Sequence, residues 1–422
     1  MIVVGAWRLV RRGVPGDLSG SRFGCRLWRF ALAALLPAAV LLLWAAPGAS
    51  AANRIYWGSC GSISFANLNG TGHGGDLNAP GATLGDCPTG IAMDLARGKL
   101  YWAGFFGNTI SFAKLDDTGG GDLNTTGAVP PQEPAGVATD PATGRIYWGD
   151  LPVGFLSFAK LNDTGGGGEL SKSGASYGNV FGVAIDPATG KIYWAAPGYN
   201  TISFANLDGT GQGGDLNTSG ATVNEPEGLA IDPANGKIYW ANNGDDTHPI
   251  SFANLNDTGG GGDLNVTGAS PNGAVGVAID PKAGKIYWAD VNGNTISFAK
   301  LNDTGGGGEL ETTGASTPNF PKFPALLKAP LATAKPRISR GSAVGSRLFC
   351  TDGKWAPDLL ESFLYQRPVS FSYRWSRNGK RILGATDDSI TAARAGAYTC
   401  TVTAINEAGG TKNTSTSHTV TR

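Results

Sequence analysis

Five carboxylates recur at one register of the chain. Asp94, Asp140, Asp186, Asp232 and Asp280 each close a Gly-[Leu/Val/Ile]-Ala-x-Asp run. Gathered on a symmetry axis, they could hold a hard cation such as calcium through oxygen ligands, and a cation there could polarise a carbonyl for hydrolysis. Pro and Gly follow four of the five at turn spacing, as in Asp186-Pro187-Ala188-Thr189-Gly190. That pattern favours a carboxylate capping its own turn. The residues just before the carboxylates are Ala-Met, Ala-Thr or Ala-Ile, so a wall built from them offers little for acid–base work. His73, His248 and His418 lie in separate segments, and no nucleophile-elbow, zinc-protease or Walker pattern occurs. The glycine runs near 119, 165, 259 and 305 do not open helices, as a phosphate loop requires. The reading is therefore of no catalytic residues, no metal ligands and no cofactor, with calcium the one cofactor left open.

The elements that position these residues follow from a repeat. Tyr-Trp pairs stand at Tyr56-Trp57, Tyr101-Trp102, Tyr147-Trp148, Tyr193-Trp194, Tyr239-Trp240 and Tyr287-Trp288, and successive tryptophans are 45, 46, 46, 46 and 48 residues apart. A period of about 40 to 50 residues, rich in short strands, signals a β-propeller with one blade per copy. One copy reads Gly228 to Asp232, Gly236 to Trp240, Ile250 to Leu255, then Asp263-Leu264. These are four strand-length pieces separated by Asp-Pro-x-x-Gly turns and glycine-rich Asn-Asp-Thr-Gly tips. The 65 glycines fall at fixed turn positions, which sets the chain apart from a disordered low-complexity one.

The recurring order Gly-[Leu/Val/Ile]-Ala-x-Asp, [Ile/Leu]-Tyr-Trp, Ile-Ser-Phe-Ala-[Asn/Lys]-Leu resembles the YWTD repeats of the low-density lipoprotein receptor family, with Leu207-Asp208-Gly209-Thr210-Gly211 an especially close match. The resemblance runs from residue 54 to about 316 and implies a six-bladed propeller. The tetrad is altered in every copy: the Thr is always lost, and its Asp survives only as Asp150 and Asp290.

The expected organisation is a signal peptide over 1–51, the propeller over 52–316, a Pro-rich linker with a possible ring-closing strand over 317–337, and an immunoglobulin-like domain over 338–422. The leader has Arg22, Arg26 and Arg29 before an apolar run from Phe30 to Ala46, with Ala49-Ser50-Ala51 as a cleavage site. Membrane contact would come only through this leader if it were left uncleaved. Five inner-strand motifs face six Tyr-Trp strands, so by register Lys322 to Leu326 would complete the first blade, despite the ladder donor that Pro324 removes. Outside the leader, which holds Cys25, the cysteines are Cys60, Cys87, Cys350 and Cys400. This usage fits an oxidising, extracellular compartment. Cys60 and Cys87 flank the first blade's variable loops and are expected to pair. Beyond the linker, Cys350, Trp375 and Tyr398-Thr399-Cys400 resemble an immunoglobulin-type sandwich, which implies Trp375 packed on a Cys350–Cys400 disulfide and Tyr398 as its corner tyrosine. The 25 residues from Cys350 to Trp375 imply an insertion between strands. The fold class is all-β throughout.

Charge is divided along the chain. Residues 52–322 hold 13 basic and 26 acidic side chains, whereas 323–422 hold 14 and 6. An acidic propeller argues against a nucleic-acid partner. Loops after the first and third strands of each copy hardly change; loops after the second and fourth differ in every copy. The variable set presents Phe105, Phe106, Glu133, Phe155, Tyr177, Phe181, Tyr199, Glu225, Glu227, Asp245, Asp246 and His248. Repeat scaffolds place function where copies disagree, and mixed aromatics and carboxylates suit a protein or carbohydrate ligand. The expectation is a secreted or cell-surface, non-catalytic binding or adhesion protein. A calcium-dependent propeller hydrolase or a structural surface-layer component stand as alternatives.

Overall fold

Each Tyr-Trp strand pairs antiparallel with the Ile-Ser-Phe-Ala strand after it, placing Tyr56 opposite Phe65 and Trp57 opposite Ser64, a register that recurs in all six copies. These strands belong to a computed structural model that describes residues 53–84, 87–176 and 178–422. The expected leader with Cys25, and the loop residue Tyr177, lie outside the described residues. Six four-stranded propeller blades result, and the only helical turn among the described residues is the short one at Leu360–Ser362.

Alternation of side chains gives every blade two different faces. The six repeat tryptophans are fully buried on one. On the other, each Tyr tilts against the Phe opposite, with ring centres 5.3 to 6.2 Å apart. The basic residue that starts each Tyr-Trp strand (Arg54, Lys99, Arg145, Lys191, Lys237, Lys285) lies over that Phe, 3.5 to 4.6 Å from the ring centre. This cation–π cap seals the aromatic face from water. Neighbouring blades are latched by the [Asn/Asp]-Asp-Thr-Gly tips: Asp117, Asp163, Asp257 and Asp303 accept from the backbone N–H of Asn78, Asn124, Asn217 and Asn265 of the blade before, at 2.6 to 3.0 Å.

The inner strands crowd the axis. A Cβ added to Gly228 would lie 2.2 Å from Gly276 Cα, and Gly276 itself has φ +53°, so glycine is required at both. The carboxylates that end these strands cap their own turns, and Asp280 also pairs with Lys328. Asp94, Asp140 and Asp186 accept from the backbone N–H two residues on at 3.0 to 3.1 Å, and Asp232 and Asp280 from the N–H three residues on at 3.3 and 3.1 Å. Among the described residues no three His, Cys, Asp or Glu side chains converge as metal ligands.

Lys322–Leu327 is the innermost strand of the first blade. It runs antiparallel to Arg54–Ser59 with Leu327 opposite Arg54, Ala325 opposite Tyr56 and Lys322 opposite Gly58. A bulge between Tyr56 and Gly58 accommodates Pro324, which has no N–H to donate. The segment expected as a linker thus carries two strands, since Ala332–Ala334 also pairs with Lys354–Trp355.

Two further sheets follow. One joins Ile338–Ser339, Arg347–Cys350 and Ser389–Thr391; the other is built on Ser370–Arg377 and Gly396–Asn406. Cys350 and Cys400 form a disulfide within an apolar cluster that contains Trp375, and the Tyr398 hydroxyl donates to the Arg394 carbonyl at 2.8 Å. The expected insertion docks on the propeller at the constant-loop face. Leu364–Tyr365 adds to Lys322–Leu327 as a parallel fifth strand, and Ser362 Oγ donates to the Ile231 carbonyl at 2.6 Å. Asn406 Nδ2 reaches the Lys328 carbonyl at 2.8 Å.

Gly228→Ala should lower the melting temperature by several degrees, the consequence of about 1–3 kcal/mol of overpacking. Gly119→Ala, whose added Cβ would meet nothing within 4 Å, should leave it unchanged. Equal melting curves for the two variants would contradict the crowded axis.

Candidate ligand-binding cavity on the variable-loop face

Aligning the inner strands on their glycine brings six residues to one level just above the axial constriction: Thr89, Ala135, Phe181, Glu227, Val275 and Lys322. Glu227 and Lys322 are the only charges in that ring. In the closing strand Phe323 takes the glycine's place with φ +21°, and its ring stacks on Phe181 at 5.7 Å, forming a buried aromatic floor.

Above the floor lies a cavity of about 420 Å³ lined by Thr89, Phe105, Phe106, Phe181, Glu227, Phe320, Lys322 and the Cys60–Cys87 disulfide. Phe105 and Phe106 meet edge to face at 4.9 Å, and Phe106 is 63% exposed. Glu227 is buried; its Oε1 accepts from Asn243 Nδ2 at 2.6 Å, while Oε2 has no hydrogen-bond partner and sits 4.0 Å from Lys322 Nζ. Burial pushes the Glu227 carboxyl up, with Lys322 and Asn243 opposing the shift.

The loops over the cavity are pinned from two sides. Glu133, Glu225 and Phe320 each precede the proline of an inner strand with φ of 46° to 50°. Their N–H groups donate to Asn108, Asn200 and Asn294 of the blade before, at 2.7 to 2.9 Å. From within the blade, Asp150, Asn242 and Asp290 accept from the N–H of Gln132, Asn224 and Asn272 at 2.9, 3.1 and 3.2 Å. The two surviving tetrad carboxylates, and the asparagine at the same register, therefore anchor the loops that overhang the site.

Of the variable-loop residues singled out by the sequence, Phe105, Phe106, Phe181 and Glu227 come together in this cavity. Glu133 and Glu225 shape the rim through their backbone and are not part of the lining. Phe155 is half-buried in its blade's loop, where its carbonyl accepts from Asp150 N at 2.9 Å, and the exposed Tyr199 lies over Gly178. Asp245, Asp246 and His248 are not brought to the axis. Asp245 accepts from the N–H groups of Thr247 and His248 and meets His248 Nδ1 at 3.1 Å; Asp246 accepts from Gly273 N at 2.7 Å; His248 Nε2 lies 3.9 Å from Asp263 on the outermost strand. Local hydrogen bonding engages these groups at the outer edge of the fifth blade. Lys322 and Phe320 were not anticipated as site residues. Matching Pro321-Lys322-Phe323 to Pro226-Glu227-Gly228 is the signal that locates them.

No family model matches this chain, and no curated protein matches it. Among solved structures, a chain from the crystal structure of a nidogen/laminin complex is similar with a TM-score of 0.54 and 19% identity, over 65% of this chain and 98% of that one. The fold is that of a YWTD-like propeller. A chain of Kuenenia stuttgartiensis hydrazine synthase also aligns, with a TM-score of 0.41 and 12% identity over 57% of this chain and 71% of that one.

Burial lifts the Asp150 carboxyl to about 6. A folded value above the unfolded one means that the stability from this group is full below about pH 4 and is lost as pH rises through the folded value. Asn242 shows that an amide fits this register, so Asp150→Asn should fold and escape the loss. The melting temperature of the variant minus that of wild type should rise from pH 4 to pH 7 and then level off. A difference independent of pH would contradict this assignment.

Proposed function

We propose that this chain is an exported, non-catalytic binding protein whose propeller captures a protein or glycan ligand in the axial cavity of its variable-loop face. The observation that carries this reading is the buried Glu227, whose Oε2 makes no hydrogen bond and faces only the Lys322 ammonium at 4.0 Å, set in a wall of phenylalanines. A sugar ring stacked on Phe105 or Phe106, or a peptide side chain inserted between them, would bury an apolar face while a hydroxyl or N–H donates to Glu227. Two disulfides support an extracellular setting. The similar propeller named above comes from a protein–protein complex, which supports recognition as the role. The C-terminal region is assigned as an immunoglobulin-like domain on the burial of Trp375 with the Cys350–Cys400 disulfide and on the Tyr398-to-Arg394 hydrogen bond.

Glycan and peptide arrays probed with the mature chain test the proposal. Ligands bound by wild type should lose at least tenfold in affinity, about 1.4 kcal/mol, with Phe105→Ala/Phe106→Ala and separately with Glu227→Gln. Phe181 is left intact because it supports the floor. Unchanged affinity in both variants would refute the cavity as the site.

A further inference from the structure

The C-terminal region carries a second candidate site, unrelated to the axial cavity. Strands Ser370–Arg377 and Lys380–Arg381 form a hairpin closed by Asn378-Gly379, both with positive φ, 48° and 75°. This two-residue turn puts Arg377 directly opposite Lys380. Like charges facing across a strand pair destabilise it, yet no acid offsets them: among the described residues none of Arg377, Lys380, Arg381 and Arg394 forms an ion pair. All four line one open groove of about 520 Å³.

The placement of the groove matters as much as its charge. The long strand pair runs from Ser370 opposite Ile405 to Arg377 opposite Tyr398. Its first end adjoins Asn406, which bonds the propeller-side Lys328 carbonyl, so the groove lies about 24 Å away at the free end. Residues 338–422 hold eleven Lys and Arg against six Asp and Glu. Three of those acids, Asp358, Glu361 and Glu407, sit half-buried at the seam with the propeller, where burial raises their carboxyls. Asp387 and Asp388 are exposed just before the strand that supplies Ile390 and Thr391, but no acid lines the groove itself.

We propose that this groove binds an anionic polysaccharide, a chain of carboxylate-bearing sugars. Guanidinium forks match carboxylates two bonds at a time. Ile382 and Ile390 supply an apolar lining for a sugar-ring face, and Asn378 and Thr391 offer hydrogen bonds to hydroxyls. The open shape suits a passing chain. The free end of the C-terminal region would hold the protein on a polyuronate matrix while the propeller face stays available.

Affinity electrophoresis of the mature chain through gels containing polygalacturonate tests the proposal. Wild type should be retarded, with retardation falling as salt rises. Lys380→Gln/Arg381→Gln/Arg394→Gln should weaken binding at least tenfold, whereas Lys114→Gln/Lys282→Gln/Lys300→Gln, which removes three exposed propeller cations, should not. Circular dichroism checks that both variants fold. The proposal is overturned if wild type is not retarded, if the two variants lose binding equally, or if the chain binds phosphatidylserine vesicles and not polygalacturonate.

Discussion

The pairing of Lys322–Leu327 with Arg54–Ser59 is the contact on which the rest of the molecule depends. Without it the first blade would have three strands and an open inner edge facing the axis. Bringing the two segments together across more than 260 residues costs about 5 kcal/mol of loop entropy. Burying Phe323, Leu326 and Leu327, at about 2 kcal/mol each, offsets that loop term. The closure also sets the chemistry at the axis, because Lys322 enters the ring of residues above the constriction and Phe323 fills the place of a sixth glycine.

Specificity and scaffold are separated by a single residue along each inner strand. In five blades the glycine is held by backbone crowding, whereas the residue before it differs in every blade and in four of the six, as Thr89, Phe181, Glu227 and Lys322, lines the cavity. The overhanging loops gain rigidity from side chains that touch nothing in the cavity: asparagines from the preceding blade and the Asp150, Asn242 and Asp290 anchors. A ligand taken up between pinned loops would cost less ordering entropy than one that had to organise them.

Much of this was legible in the sequence because repeats expose their own rules. Six copies of Tyr-Trp and of [Ile/Leu]-Ser-Phe-Ala marked the strands, and comparison of the copies pointed to Phe105, Phe106, Phe181 and Glu227. Lys322 and Phe320 were harder to see because the closing strand lacks the glycine and aspartate that mark its five counterparts. Asp245, Asp246 and His248 have the composition of a ligand site, but they are engaged by hydrogen bonds within their own loop and from Gly273, contacts that depend on the folded loop and not on residue type. The 25-residue spacing from Cys350 to Trp375 announced an insertion. Its docking as a fifth strand could not be inferred, since Leu364 and Tyr365 find their partner in another part of the chain.

The docked insertion makes the propeller and the C-terminal region one compact unit. Differential scanning calorimetry of residues 52–422 tests this most directly. The account predicts a single transition whose calorimetric and van't Hoff enthalpies agree. Two resolved transitions, one of them reproduced by residues 338–422 alone, would contradict it.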